Sequence, residues 1–534
     1  MGSISDSGRT LQWRAVISRR DFVKTVTATA IAATADNSLA LPQGAPSQRR
    51  PNVIFFFPDQ LPAHELSAFG GQNIGTPNMD RVVAEGFTFM NGLSTCPLCA
   101  PYRGMLLSGL YATHNGMLIN WLESNPRDPS LAQTLSAAGY STAYVGKWHL
   151  NAGKMKHDGL FMSQEARQLE AAADYSHRPA VENEYVRQHP ESEFVPPGPA
   201  RHGFQYWAAF NFHTEYKHAF YYRDTDQRLF MPTYEPDSEV AMAIEFMSAA
   251  SSAGRPFFAV ISPHPPHQPW TAKSAPGEWV PRVRRELVRR PNVPPNTPPG
   301  AGDPRYYYAM LGAVDAAFGK LLAFLDSSGL AKDTLLILTS DHGEMMGSHG
   351  KWEKMAPYEE AVRVPLVFRW PGRLPAGAKS EVLFTPMDHH PTLAALAKAN
   401  APSGLDGVDL SGVLTGSTKE FAREAVLIAN YSSHWDYFHS EWPWPEWRGV
   451  RTLRHTYVKW FAGREELFDN AADPYQLRNL AASDAATLKH MREILPALLA
   501  ESHDPFLAGP AYAAWYDSER NIVRTGRGPL IHDA

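Results

Sequence analysis

"NVIFFFPDQ", residues 52–60, sets a nearly continuous apolar run directly before an acid and an amide. A run this short, without the polar–apolar alternation of a half-exposed strand, suits a strand buried on both faces, the habit of parallel sheets. Three more stretches share the design. "STAYVG" (141–146) runs into Lys147, Trp148 and His149, "PFFAVIS" (256–262) into Pro263 and His264, and "TLLILTS" (334–340) into Asp341, His342 and Gly343. Helical patterns lie between them: Val314, Ala317, Phe318, Leu321, Leu322 and Leu325 fall on one face, and Gly329 follows as a stop. Strands alternating with helices predict an α/β fold with a large, mostly parallel sheet flanked by helices. In such sheets the ligand crevice lies beyond the carboxyl ends of the strands. A polar residue after one strand is usually a solvated turn. Four runs that end in acids, lysine and histidines point instead to one assembled site.

The chain has 534 residues, enough for a large core and for one big α/β unit with an appendage. A formal net charge of −5 provides no broad basic surface, which argues against nucleic acid as a partner. No stretch approaches the roughly 20 apolar residues of a membrane span. Near the start, "SRRDFVKTVTATAIAATA" (18–35) places Arg19 and Arg20 before a mild apolar run that closes on Ala33, Thr34 and Ala35. That order resembles a twin-arginine export signal, so residues 1–41 are set outside the fold, and the expected location is the bacterial periplasm or the exterior. The expected division is a main domain over 50–424 and a smaller C-terminal α+β domain over 425–534. In the latter, "HTYVKWF" (455–461) reads as a strand and "DAATLKHMREILPALLA" (484–500) as a helix with Leu488, Met491, Ile494, Leu495 and Leu498 aligned. The Pro-rich stretch from Pro263 to Pro304 reads as a long loop near the site.

Both cysteines lie in "TCPLCAPYRGMLLSG" (95–109). Cys96 and Cys99 have the spacing of a zinc half-site, but no second pair of ligands follows at short distance. They also have the spacing of a redox pair, without the small fold that carries such motifs. A buried, inert pair is the plain alternative. "CAPYRGMLLSG" resembles the signature of the sulfatase family, Cys-x-Pro-Ser-Arg followed by a helix, in Cys99, Pro101 and Arg103; Tyr102 stands where serine or alanine is usual. Further resemblances occur in family order. "PNVIFFFPDQ" is similar to the family's first metal strand, "YVGKWHL" to its Gly-Lys-x-His element and "SPHPPHQPW" to its Pro-His-x-Pro segment. "TSDHGEMMGSHGKWEKMAPYEEAVRVPLVF" (339–368) resembles its most distinctive block, and "GREELFDNAADPYQLRNLA" (463–481) its C-terminal domain.

The resemblance implies a hydrolase of carbohydrate or aryl sulfate esters within the alkaline phosphatase superfamily. It implies that a formylglycine-generating enzyme oxidises Cys99 to formylglycine, whose hydrate is the nucleophile. A divalent cation, usually calcium in this family, would be held by Asp59, Gln60, Asp341, His342 and the converted Cys99; oxygen ligands suit calcium. Arg103 and Lys147 would hold the aldehyde hydrate, one by a forked donor set and one as a point charge. His149 would take a proton from the hydrate. His264 and Lys354 would contact the substrate sulfate, with His264 the acid for the leaving oxygen. Cys99 opens its helix with Pro101 in the first turn, which puts the nucleophile at the positive end. His213, His218, His267 and the Trp/His-rich stretch at 434–447 are neighbours without assigned roles. The rival reading is a phosphonate monoester hydrolase or phosphodiesterase of the same superfamily, which can use the same converted cysteine. A non-catalytic binder of sulfated glycans would be expected to have lost Cys99, a metal acid or the histidines, and none is lost.

Overall fold

The computed structural model describes residues 50–153, 193–298, 300, 302–418, 421–431 and 445–530. The twin-arginine stretch and most of the Trp/His-rich stretch lie outside the described residues. An eight-stranded sheet carries the main body. In chain order its first strands are β1 (Asn52–Phe56), β2 (Phe87–Gly92), β3 (Ser141–Lys147) and β4 (Tyr206–Phe210). A short hairpin outside the sheet follows, β5 (Phe220–Tyr221) with β6 (Leu229–Phe230), then β7 (Phe257–Ser262), β8 (Thr334–Leu338), β9 (Val367–Arg369) and β10 (Ala378–Phe384). Across the sheet the order is β10-β2-β9-β8-β1-β7-β3-β4. Only β9 runs against its neighbours; every other pairing is parallel. The four apolar runs read from the sequence are β8, β1, β7 and β3, adjacent in the sheet, so their carboxyl ends stand side by side.

These strands lack polar alternation because both faces are covered. Val53, Phe55, Tyr144, Phe258, Val260, Leu335 and Ile337 face one layer, with Met105, Leu131, Leu135 and Leu393 from the helices packed there. Ile54, Phe56, Val145, Ala259, Ile261 and Leu336 face the other, against Val82, Val240, Met247, Val314, Phe318 and Leu321. The helix Pro304–Ser327 shows how the local sequence sets its bounds. Asp303 caps it by accepting from Arg305 N at 3.0 Å, Pro304 occupies the first turn, and Gly329 follows at φ 73°. It is also the one helix among the described residues long and apolar enough to cross a membrane, yet its apolar face is spent on the sheet. Pro304 thus begins a helix rather than ending a loop, and among the described residues of the stretch before it the one helical segment is a 3₁₀ helix at Gly277–Arg282.

A second, antiparallel sheet follows: β11 (Ala425–Asn430), β12 (Trp447–Thr452), β13 (His455–Trp460) and β14 (Glu465–Asp469). The helix Ala485–Glu501 covers one face through Leu488, Met491 and Leu495. The opposite face, with Ile428, Trp447, Val458 and Phe468, packs on Leu93, Leu98, Met345 and Met355. Leu98 immediately precedes the helix that Cys99 opens, so this sheet braces the start of that helix.

Gly146, the residue before Lys147, is required by the backbone. Its φ is +100°, and a Cβ there would stand 2.4 Å from the Ser262 carbonyl oxygen and 2.6 Å from Glu239 Oε1. Gly146→Ala is therefore expected to cost about 3 kcal/mol of folding stability, read by urea unfolding. A loss below about 1 kcal/mol would mean that β3 yields at this point.

Candidate active site

Six side chains meet at the carboxyl edge of the main sheet. Asp59 follows β1, Lys147 ends β3, Asp341 and His342 follow β8, and Cys99 and Arg103 lie one turn apart on the helix Cys99–Ser108. All six are at most 1% exposed. Asp59 Oδ2 accepts from Lys147 Nζ at 2.6 Å and from Arg103 Nη2 at 3.1 Å. The same Nη2 donates to Asp341 Oδ2 at 3.0 Å, while Nη1 donates to the Lys147 carbonyl at 2.6 Å and to Ser262 Oγ at 2.9 Å. Arg103 is thus a clamp between two carboxylates and the end of β3, and its fork is turned to protein partners.

Cys99 Sγ lies 3.1 Å from His342 Nε2, 3.6 Å from Lys147 Nζ and 3.9 Å from Asp59 Oδ1. One ligand atom from each of Asp59, Cys99, Asp341 and His342 falls within 4.8 Å of the other three. His342 Nδ1 is 3.0 Å from the Gly343 carbonyl and must donate to it, so Nε2 faces the cluster. Burial raises the Cys99 thiol and Asp59 raises it further, but Lys147, His342 and Lys354 outweigh both and hold it below its ordinary value. For His342, burial lowers the pKa, yet Asp341 and Cys99 draw it up to about 9. The donor set of two carboxylates, one imidazole and the position of Cys99 fits a divalent cation.

Behind this centre stands a second group. Lys354 Nζ donates to Gln60 Oε1 at 2.8 Å and lies 3.0 Å from His267 Nε2. Because the ammonium has only donors, Nε2 of His267 accepts, and Nδ1 donates to the Gln268 carbonyl at 2.8 Å. The Gln60 amide nitrogen donates to Gln268 Oε1 at 2.6 Å and to Glu344 Oε2. A third group lines the wall around Phe212. Its ring centroid is 4.8 Å from that of His149, 4.9 Å from that of His264 and 5.9 Å from that of His267, and Lys147 Nζ lies 4.8 Å above it. Among the described residues, neither ring nitrogen of His149 or His264 has a hydrogen-bond partner. Burial, with Lys147 or Lys354 nearby, pushes His149, His264 and His267 well below the usual histidine range, so all three are uncharged at neutral pH. Gln60 and His149 also hold positive φ, 65° and 55°, conformations that a non-glycine residue keeps only where its surroundings enforce them.

The structure thus gathers Asp59, Cys99, Arg103, Lys147, Asp341 and His342 at the centre, Gln60 and Lys354 directly behind, and His149 and His264 on the aromatic wall. Tyr102 is buried in the core, its hydroxyl beside Thr339. His213 is a core residue, its ring tilted against those of Phe210 and Phe220 and bonded to the Phe220 carbonyl at 2.9 Å, and His218 is exposed. Sequence reasoning left His267 without a role and passed over Phe212 and Glu344. For His267 a signal was present: "PHPPHQP" (263–269) holds Pro-His-x-Pro in two overlapping registers, one reading His264 and the other His267.

A family profile described as Sulfatase matches residues 51–399, and one described as N-sulphoglucosamine sulphohydrolase, C-terminal, matches residues 347–502. An ulvan-active sulfatase of Formosa agariphila is 31% identical over 476 residues, which cover 88% of this chain and 84% of that one. An endo-4-O-sulfatase of Bacteroides thetaiotaomicron is 29% identical over 87% of this chain and 94% of its own. Among solved structures, a protein described with the metabolism of multiple glycosaminoglycans by Bacteroides thetaiotaomicron superposes with a TM-score of 0.71 at 24% identity, over 86% of this chain and 98% of its own. The phosphonate monoester hydrolase of Agrobacterium radiobacter gives 0.59 at 23% identity, over 91% of this chain and 100% of its own. These two structural likenesses speak for the fold alone.

Proposed function

Since this chain belongs to the sulfatase family, hydrolases that act on sulfate esters, we propose that it cleaves carbohydrate or aryl sulfates with Cys99, as formylglycine, supplying the nucleophilic oxygen. The observation that carries this reading is the setting of Cys99 Sγ at the first residue of a helix, between Lys147, His342 and Asp59. Asp59, Asp341, His342 and the converted Cys99, with Gln60 beside them, would hold a divalent cation, calcium by family habit, which supplies positive charge to the ester oxygens. Lys147 and Lys354 attract the sulfate, and the buried ammonium groups act strongly because little water screens them. Arg103 fixes the two acids in place. His149, neutral and with neither ring nitrogen bonded among the described residues, takes the proton from the nucleophilic oxygen.

The proton for the leaving oxygen is assigned to the Lys354–His267 pair: Lys354 donates to the unprotonated Nε2 of His267, and the ammonium proton shared along that bond is the one passed through His267 to the ester oxygen. His264 stands beside it with its ring centroid 4.6 Å away. General acid catalysis of this kind is worth about 10²–10⁴-fold and matters least when the leaving group is already good. His267→Ala is therefore expected to lower kcat on a sugar sulfate by about 10³-fold while sparing an activated nitrophenyl sulfate to within roughly tenfold. The opposite ranking, with His264→Ala showing the leaving-group dependence, returns the role to His264.

The phosphonate reading is tested with matched aryl sulfate and aryl phosphonate monoesters; a much faster phosphonate reaction would sink the sulfatase assignment. The paired arginines and small-residue end of residues 18–35 support export by the twin-arginine route, checked by fractionating cells that express the full chain and an Arg19→Lys, Arg20→Lys variant.

A further inference from the structure

Gln60 stands where a carboxylate would offer two equivalent oxygens, and an amide offers only one. Which way that amide points therefore decides whether the site gains a donor atom or a repulsive N–H. Its backbone is pinned, since N donates to Asp341 Oδ1 at 3.1 Å and the carbonyl accepts from Tyr307 at 3.2 Å. Only the side-chain amide is left to be oriented. Glu344 is fully buried, and its Oε1 accepts from the N–H groups of Met346 at 3.1 Å and Glu353 at 2.7 Å. The backbone thus locks this carboxylate, and its remaining oxygen, Oε2, receives the Gln60 amide nitrogen.

We propose that Glu344 is the positioning residue for Gln60: by holding the amide nitrogen it turns Oε1 toward Lys354 and the cation pocket. This rests on the cation reading above. An inverted amide would set its N–H₂ against the Lys354 ammonium and its carbonyl against the Glu344 carboxylate, two repulsive contacts at once. When Lys354 engages a substrate sulfate, Glu344 and Gln268 Oε1 still hold the amide nitrogen, and of the two only Glu344 is locked by backbone N–H groups. The loop that carries Asp341 and His342 therefore also carries the anchor for a residue on β1's end.

In E344Q the backbone N–H groups still claim the side-chain oxygen, so its new N–H₂ faces the Gln60 amide nitrogen and drives the inversion. Calcium titrated calorimetrically into chelator-treated full-length protein is expected to bind E344Q at least about 10-fold more weakly than the parent, the size of effect usual for groups that orient metal ligands. In a Q60D background no amide remains to be oriented, and E344Q removes a carboxylate facing another, so Q60D/E344Q binds calcium as tightly as Q60D or more tightly. Equal affinity of E344Q and the parent overturns the proposal. So does a loss in the Q60D background equal to that in the parent, and this second comparison decides alone if single E344Q does not fold. A parent that takes up no divalent cation overturns the cation reading, and the proposal falls with it.

Discussion

Cys99→Ala is expected to lower turnover of an aryl sulfate by at least ~10⁴-fold, equivalent to about 5 kcal/mol of lost transition-state stabilisation. Cys96→Ala, three residues away, is expected to leave it within a factor of about three. The two thiols differ in surroundings. Cys99 opens a helix amid Lys147 and His342, whereas burial pushes the Cys96 thiol up to about 12, which leaves it protonated and inert. A mass spectrum of the peptide 82–103 checks the chemistry independently, because conversion at Cys99 replaces the thiol by an aldehyde. Equal loss on changing either cysteine, or two intact thiols in active protein, would remove Cys99 as the nucleophile.

The largest stability effect is expected outside the group of reacting side chains, at Arg448 on β12. Its side chain is fully buried and bonded to both Asp504 oxygens, to the Tyr512 hydroxyl at 2.9 Å and to the Asn430 carbonyl at 2.7 Å. The guanidinium also lies 4.1 Å over the Tyr431 ring. One residue thus ties the edge of β11, the middle of the second sheet and the segment after the last helix. Arg448→Ala strands Asp504 as a buried, unpaired charge and is expected to cost about 3–5 kcal/mol, measured by urea unfolding. Adding Asp504→Asn should recover part of that loss, since the two changes share one interaction. A single-variant loss below about 1 kcal/mol, or strict additivity of the pair, would show that the ion pair does not hold this region.

The central sheet was legible because strands buried on both faces need no polar alternation, and β8, β1, β7 and β3 kept that pattern cleanly. The acids and bases at their ends were legible for the same reason: a sharp change from apolar to reactive residues marks the carboxyl edge. β9 left no such mark. It spans Val367–Arg369, too short for any period, so its antiparallel course between β2 and β8 depends on its neighbours alone. The helix Cys99–Ser108 is buried along its whole length and has no polar face to show helical periodicity; only its motif revealed it. Phe212 and Glu344 stayed hidden because their roles arise from contacts between distant loops. An aromatic ring or a glutamate in isolation says nothing about what it will touch.

The burial of the Cys99 helix carries a consequence for the order of events in the life of each molecule. Pro101 is interior, and Arg103, 1% exposed, is locked between Asp59 and Asp341. An enzyme that must read the main chain around Cys99 finds little to grip once the sheet has closed. Under the proposed chemistry, conversion belongs to the nascent, unfolded chain. On that chemistry, a molecule that folds first would be stable and correctly shaped yet silent, and the active fraction of a preparation would record a race between maturation and folding.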